Sequence, residues 1–260
     1  MKVGILLFPG MNCEHESQRA LASVGVEADI VRSNLPAAKI GAYDGYVLPG
    51  GFSFEDRIRA GVVAAWEPAM ETVARAAEAG KPVAGICNGA QVLLETGLVP
   101  GLRSGKVEMA LALNDSGKRV GYTCDWRWVT GDLFEDPVPL PFAHAEGRFV
   151  TRDPETEAAV RSRGLIAARY CAPDGTVTPG WPVNPNGAWD NTAALRSAGG
   201  NVVAIMPHPE RANWAWQVPA EIAGEWGDAK RKRGADWTDR PGPGRVFFEK
   251  FAAMLRRAAA

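Results

Sequence analysis

The sequence predicts an α/β fold with a doubly wound, mostly parallel sheet flanked by helices, because strand-like and helix-like segments alternate over about the first hundred residues. The stretches "KVGILLF" and "KPVAGIC" are apolar runs typical of buried strands. The stretch "CEHESQRALASVG" is typical of a helix that ends at Gly25. In the middle of the chain, "KVEMALALNDSGKRVGYTCDWRWV" alternates apolar and polar residues around an Asn-Asp-Ser-Gly turn, which predicts a hairpin. We therefore expect an antiparallel excursion beside the parallel sheet, to which "GLIAARYCAPDGTV" adds another strand and turn.

The remaining segments complete one predicted domain over residues 1–260. Residues 59–80 have helical spacing, and Pro68 kinks or divides that helix before it ends at Gly80. The stretch "GNVVAIMPHPE" predicts a last core strand that ends in a turn. Residues 227–245 are polar and rich in Gly and Pro, so we expect a long loop there, followed by a closing helix over "VFFEKFAAMLRRAAA".

The last third of the chain is rich in tryptophan. Ordinary packing under long loops explains such a concentration, and so does an interface with a partner, because aromatic residues are enriched at interfaces. The basic run 230–233 is interpreted as part of a solvated loop. The six tryptophans are Trp181, Trp189, Trp214, Trp216, Trp226 and Trp237.

Composition and charge indicate an ordinary globular protein without nucleic acid or membrane partners. The 260 residues are 46% hydrophobic and 23% charged, with a formal net charge of -1. The first apolar run stops at Pro9 and Gly10, too soon for a signal peptide, and no stretch approaches the about 18 apolar residues of a membrane span. We expect a cytoplasmic protein.

The four cysteines are widely spaced and form no CxxC pair, so we expect neither a metal site nor a disulfide framework. Each thiol is then buried filler or chemically used. These residues are Cys13, Cys87, Cys124 and Cys171.

Cys87 is the candidate nucleophile. It lies between Gly85 and Gly89, at the point where an apolar strand ends and a helix begins at Asn88. Small neighbours let the chain turn sharply at such an elbow, and the helix N-terminus lowers the pKa of a thiol and supplies an oxyanion donor. A buried core cysteine is the alternative interpretation of the same pattern.

A thiol that performs acyl transfer needs a base and a group that orients the base. His208 and Glu210 are two residues apart after the last core strand, so both side chains project to the same side of an extended segment. His144 and Glu146 have the same spacing, and sequence physics leaves both pairs open. His15 lies on the first helix, where we expect it at the surface.

A glycine pair is the candidate oxyanion site. Gly50 and Gly51 follow a predicted strand at the carboxyl edge of the sheet, where α/β folds place their sites. Without side chains, their backbone N–H groups stay open to an anionic oxygen.

Together, these residues resemble the class I, or triad, glutamine amidotransferases. The G-x-C-x-G-x-Q motif of that family matches residues 85–91, ending at Gln91, and the late H-x-E matches His208 and Glu210. Further stretches, "FPGMNCE", "PGGFSFEDRIRAG", "AHAEG", "NPNG" and "MPHPERA", together with Asn88, resemble the glutaminase subunits of phosphoribosylformylglycinamidine synthase. The resemblance covers residues 1–212 and leaves 213–260 as an extension.

The resemblance implies a flavodoxin-like sheet and a reaction. Cys87 attacks the side-chain amide of L-glutamine, His208 shuttles protons and Glu210 orients it, which favours this pair over His144 and Glu146. Backbone N–H groups near Gly51 and Asn88 stabilise the oxyanion.

The resemblance also implies partners. A large synthetase subunit uses the ammonia, with ATP and magnesium, to aminate formylglycinamide ribonucleotide, and a small accessory subunit belongs to the same complex. This chain itself needs no cofactor, and it has no P-loop motif.

Three residues depart from the family pattern. Glu55 and Ala145 stand where glycine is expected, and Ala188 stands where serine is usual. We expect these positions to affect loop shape or partner contacts rather than the triad.

Two other interpretations keep the fold. One is another cysteine-elbow flavodoxin-like hydrolase, of the protease and chaperone type, which generally lacks the late His-x-Glu. The other is a non-catalytic amidotransferase-like binding subunit, which would require a broken triad, whereas here all three residues are present.

Overall fold

The computed structural model describes residues 1–232 and 239–260, and its centre is a nine-stranded sheet. Two further strands form a separate small sheet. In chain order the strands are β1 (Lys2–Leu7), β2 (Glu27–Arg32), β3 (Gly45–Leu48), β4 (Val83–Ile86), β5 (Ala110–Leu113), β6 (Thr123–Gly131), β7 (Phe134–His144), β8 (Glu146–Val150), β9 (Ile166–Cys171), β10 (Thr192–Arg196) and β11 (Val202–Ile205).

The helices connect the strands much as the alternation predicts. Pro68 begins α4 and so divides the predicted 59–80 helix in two, because proline is tolerated only in the first turn of a helix. The helices are α1 (Glu14–Ser23), α2 (Ala37–Ile40), α3 (Val62–Ala65), α4 (Pro68–Glu78), α5 (Asn88–Glu95), α6 (Pro154–Ser162), α7 (Glu225–Arg231) and α8 (Arg245–Ala258).

The parallel half of the main sheet has the order β2-β1-β3-β4-β11. Every residue of β3, β4 and β11 is buried, as expected for parallel strands covered on both faces. Helix α5 packs against these three strands, and α1 packs against β1 and β2. The predicted α/β class, with a mostly parallel sheet flanked by helices, is confirmed.

The antiparallel half continues the same sheet through β10, β9, β6 and β7, so the predicted excursion is confirmed. The predicted hairpin is confirmed at its turn, where Asp115 and Val120 form an antiparallel bridge and Ser116 N–H donates to Arg119 O at 3.1 Å. Its two arms do not pair further, because β5 pairs with β8 and β6 pairs with β7 and β9. Alternation identifies a half-buried strand, whereas the choice of partner depends on strands later in the chain.

The C-terminal extension is more helical than predicted. Helix α7 occupies the first part of the predicted 227–245 loop, and α8 begins at Arg245. Acidic residues in the first turn of α7 and basic residues in its last turn complement the helix dipole. The polar, Gly- and Pro-rich composition of the segment does not show this order of charges. Arg233 and Trp237 lie outside the described residues.

Helix α8 packs on the sheet through an apolar face. Its buried residues include Phe247, Phe248, Phe251 and Leu255. A Cβ at Gly45 of β3 would lie 2.5 Å from Leu255 Cδ2, so the helix lies directly on that strand. The extension is therefore part of the core.

Two tryptophans of the last third pack against cations: the guanidinium of Arg127 lies 5.0 Å from the Trp181 ring centroid, and that of Arg161 lies 4.6 Å from the Trp189 ring centroid. Trp216 is 49% exposed, and an interface at this end of the chain stays a prediction. Among the described residues, no helix has the length and apolar character needed to cross a membrane.

Candidate active site

Cys87 lies in the turn between β4 and α5. Its backbone has φ 50° and ψ −104°, a conformation that is costly for a residue with a side chain. The Cys87 N–H donates to Ile205 O at 2.8 Å, so the pairing of β4 with β11 continues to the elbow. The residue is 5% exposed, and its thiol stands at the N-terminus of α5. This is the geometry that the sequence predicts for a nucleophile elbow.

The two flanking glycines are required by close backbone contacts. A Cβ at Gly89 would lie 2.0 Å from Leu48 O, and a Cβ at Gly85 would lie 2.5 Å from Gly89 O. No side chain fits at either position without movement of backbone atoms. The first turn of α5 therefore lies directly against β3 and β4.

His208 and Glu210 form a buried pair beside the elbow. His208 Nδ1 lies 2.6 Å from Glu210 Oε1, and the two residues are 3% and 0% exposed. His208 N–H donates to Pro141 O at 2.8 Å, which fixes the segment against β7. Burial opposes the charged imidazole, but the carboxylate of Glu210 and the sulfur of Cys87 outweigh it and raise the pKa of His208 well above 6.5.

The alternative pair, His144 and Glu146, is not joined. The Asn114 side-chain amide donates to His144 Nδ1, with the two nitrogens 3.1 Å apart, and Glu146 Oε2 accepts from Ala60 N–H at 3.2 Å. Burial and the nearby charge of His208 lower the pKa of His144 to about 3, so this imidazole stays neutral. A Cβ at Gly147 would lie 1.9 Å from His144 Cε1, which shows how tightly the ring is packed.

The glycine turn after β3 lies against His208. A Cβ at Gly50 would lie 2.7 Å from His208 Cε1, and one at Gly51, where φ is +148°, would lie 2.4 Å from Met11 Cα. Gly50 O accepts hydrogen bonds from the N–H groups of Asn12 and Cys13, at 3.1 and 3.2 Å. The turn therefore lies beside the buried histidine, and its role as an oxyanion site stays a prediction.

The side-chain amides of Asn88 and Gln91 brace the site. Asn88 Oδ1 accepts from Ser53 N–H at 3.0 Å, and Asn88 Nδ2 donates to Gln91 Oε1 at 2.9 Å. Gln91 Nε2 donates to the Glu146 carbonyl at 2.6 Å. These contacts tie α5 to the loop after β3 and to β8 through side-chain atoms.

Two further residues at the site do not follow from sequence reasoning. Asp56 Oδ1 lies 3.4 Å from Asn88 Nδ2, and burial with the nearby Glu146 carboxylate raises the pKa of Asp56 to about 6. Cys13 is buried beside His208, and its Sγ accepts from Arg211 Nη2 at 3.1 Å. No local pattern signals Cys13, because it is distant from His208 along the chain.

The departures from the family pattern have separate structural settings. Glu55 has φ 59°, a conformation that glycine adopts more easily. Ala145 contributes its carbonyl, which accepts from Asn114 N–H at 2.7 Å. Ala188 is buried, and its N–H donates to the side chains of Asn184 and Asn186, both at 3.1 Å. The contacts of the two alanines are made by backbone atoms, so neither departure removes them.

A thiol on a strand–helix elbow, beside a buried histidine–carboxylate pair at the carboxyl edge of a parallel sheet, defines a cysteine-dependent acyl-transfer site. The chain belongs to the CobB/CobQ-like glutamine amidotransferase domain family, whose profile matches residues 1–238.

Within this family, the chain is similar to curated PurQ subunits and to a chain of a solved PurLQS structure. The chain is 40% identical over 234 residues to phosphoribosylformylglycinamidine synthase subunit PurQ of Methanothrix thermoacetophila, covering 84% of this chain and 89% of the relative. It is 40% identical over 212 residues to the PurQ subunit of Thermus thermophilus, covering 82% and 90%. It also matches a chain of the solved structure of PurLQS from Thermotoga maritima, with a TM-score of 0.70, 29% identity and 98% of each chain covered.

We predict that Gly89→Ala destabilises the protein. Helix propensity alone favours alanine by about 0.5–1 kcal/mol, but the added Cβ meets Leu48 O, and overpacking of this kind costs about 1–3 kcal/mol. Urea unfolding measures the free energy of unfolding. The control is Gly199→Ala, whose Cβ would lie 3.0 Å from a side-chain atom, Asn201 Oδ1, rather than against a backbone carbonyl. A Gly89→Ala protein as stable as the control would contradict the contact.

We also predict that Glu210→Gln lowers the pKa of His208, because the carboxylate that offsets burial is removed. In the wild type, the proton on His208 stabilises the fold below pH 6.5, and this contribution is lost as the pH rises through the folded pKa. NMR titration is tractable because the chain has 3 histidines, and the exposed His15 is an internal control. An unchanged His208 titration in the variant would contradict the pairing.

Proposed function

We propose that this chain is the glutaminase subunit of phosphoribosylformylglycinamidine synthase and hydrolyses L-glutamine to glutamate and ammonia. Family membership and the names of the relatives support this function. The observation that carries it is the 2.6 Å contact between His208 and Glu210, fully buried beside the Cys87 elbow. A base and its orienting carboxylate at a thiol are the parts that an amide-cleaving thiol enzyme needs.

The first half-reaction forms a thioester. Cys87 Sγ attacks the side-chain amide carbon of glutamine, and His208 accepts the thiol proton. Glu210 holds the imidazole through Nδ1, so that Nε2 is free to exchange protons with the thiol and the substrate. The tetrahedral intermediate collapses when its C–N bond breaks, and His208 gives the proton to the nitrogen, which leaves as ammonia.

The second half-reaction restores the enzyme. His208 takes a proton from a water molecule, and the resulting hydroxide attacks the γ-glutamyl thioester carbon. The C–S bond breaks, the sulfur regains the proton from His208, and glutamate leaves. Both half-reactions use the same three side chains.

Backbone N–H groups near Gly51 and Asn88 are the proposed oxyanion donors. Asn88 begins α5, and N–H groups in a first helical turn have no acceptor within their own helix. The helix dipole adds positive potential at the same place. One such donor stabilises a transition state by about 3 kcal/mol. Asn88 and Gln91 also keep the elbow fixed through their side chains.

The proposed assignment includes partners. Ammonia passes to a large synthetase subunit, which uses ATP and magnesium to convert formylglycinamide ribonucleotide to formylglycinamidine ribonucleotide, and a small accessory subunit completes the complex. The likeness to a chain of PurLQS supports this assembly. We place the whole chain, as one amidotransferase domain that needs no cofactor of its own, in the cytoplasm.

We predict that the isolated chain releases glutamate slowly and that the synthetase and accessory subunits accelerate it. The chain has a complete triad but no recognisable acceptor site, so coupling to the partner avoids wasted glutamine. Glutamate release is measured with and without the partners.

The variant Cys87→Ser should lower glutamate release by about 10³-fold or more, because the nucleophile is lost. The matched control is Cys124→Ser, which changes an exposed thiol of the same chain. Release that survives Cys87→Ser would overturn the nucleophile, and robust release that ignores the partners would overturn the coupling.

A further inference from the structure

A second buried thiol, that of Cys13, lies beside His208 and has no role in the proposed reaction. Cys13, just before α1, is 1% exposed, and its sulfur interacts with the side chain of His208. Cys13 Sγ also lies 3.2 Å from Asn12 Oδ1 and accepts from Arg211 Nη2 at 3.1 Å. The position of the thiol is thus set by contacts with His208, Asn12 and Arg211.

Cys13, His208 and Glu210 form a compact set of metal-ligating atoms. The sulfur, one imidazole nitrogen and one carboxylate oxygen all lie within 4.8 Å of one another, and all three residues are buried. Glu210 Oε2 has no hydrogen-bond partner among the described residues, although Glu210 is 0% exposed. A fully buried carboxylate oxygen without a donor is unusual in a folded protein, and it leaves Glu210 with an oxygen that a metal ion can use.

The chemical types of the three ligand atoms indicate which metal ion the cluster would bind. A thiolate with an imidazole suits Zn²⁺, whereas Mg²⁺ and Ca²⁺ require oxygen ligands. Three protein ligands leave one position of a tetrahedral Zn²⁺ open, as in sites that exchange a ligand. The guanidinium of Arg211 beside the sulfur opposes a cation, so we expect reversible binding rather than a permanent structural metal.

We propose that Cys13, His208 and Glu210 bind Zn²⁺ and that this binding switches the glutaminase off. The inhibition rests on the proposed function, whereas Zn²⁺ binding depends only on the three ligand side chains. Zn²⁺ replaces the proton of the Cys13 thiol, which is released to solvent, and the single proton of the neutral His208 imidazole moves from Nδ1 to Nε2 when the metal takes Nδ1. With that proton on Nε2 and the metal on Nδ1, His208 can donate a proton but cannot accept the proton of Cys87.

Gly50 keeps this arrangement compact. A Cβ at this position would lie 3.1 Å from Cys13 Sγ, 2.7 Å from His208 Cε1 and 3.3 Å from His208 Nδ1. The Nδ1 edge of the ring and the sulfur therefore both face the glycine backbone.

The binding test uses Co²⁺ as a spectroscopic probe on metal-stripped full-length protein. The background is Cys87→Ser, which removes the other thiol next to His208. We expect a thiolate-to-cobalt charge-transfer band that persists when Cys124→Ser is added and disappears when Cys13→Ser is added. A band that survives without Cys13, or no band in the Cys87→Ser background, would overturn the site. Cys13→Ala provides the same comparison if Cys13→Ser does not fold.

The inhibition test compares glutamate release by the wild type, Cys13→Ser and Cys124→Ser at buffered Zn²⁺ concentrations. Loss of a ligand should raise the Zn²⁺ concentration for half-inhibition by about 10-fold or more in Cys13→Ser, and excess chelator should restore the wild type. Equal sensitivity of the wild type and Cys13→Ser would mean that Zn²⁺ acts on Cys87 and His208 alone. A chain without glutaminase activity would still give the Co²⁺ result, so the two proposals fail separately.

Discussion

The close approach of the first turn of α5 to the neighbouring strands is the constraint on which the site depends. Gly89 lies against the Leu48 carbonyl and Gly85 lies against Gly89, so backbone meets backbone where side chains would ordinarily separate a helix from a sheet. This contact forces the sharp turn that places Cys87 at a positive φ. The pairing of Ile86 with Ile205 then brings the residues that follow β4 and β11 to the same edge of the sheet, and Cys87 and His208 lie beside each other there.

Burial of the histidine–carboxylate pair has two consequences. Away from water, the Glu210 carboxylate strengthens its hold on His208, and the pKa of the imidazole stays high despite the cost of burying a charge. The same crowding places a second sulfur, that of Cys13, next to a carboxylate oxygen that has no donor among the described residues. The same close packing that orients the His208 imidazole also brings three metal-ligating side chains together, and the proposed inhibition by Zn²⁺ follows from that proximity.

Local patterns were sufficient for the elbow and for most of the strands and helices, but not for α7 or for long-range strand partners. The glycines at 85 and 89, the proline that begins α4 and the His-x-Glu after β11 are short-range signals, and the structure has all of them in the expected places. Strand pairing in the middle of the chain depends on segments far apart, so the predicted hairpin is limited to its turn and β5 pairs with β8 instead of β6. The position of Cys13 beside His208 likewise depends on the order of strands in the finished sheet, which no spacing along the chain reveals. The first part of the predicted C-terminal loop is helical, and the order of charges along α7, acidic first and basic last, complements the helix dipole.

The most direct test asks which sulfur carries the acyl group. His208 lies beside two buried thiols, those of Cys87 and Cys13, and only one of them stands on the elbow at the N-terminus of α5. The measurement is acid quenching of the enzyme during turnover of glutamine, followed by mass spectrometry of the peptides. The account predicts a γ-glutamyl adduct on the peptide that contains Cys87 and none on the peptide that contains Cys13. An adduct on Cys13, or turnover with no adduct on Cys87 under conditions that preserve thioesters, would contradict it.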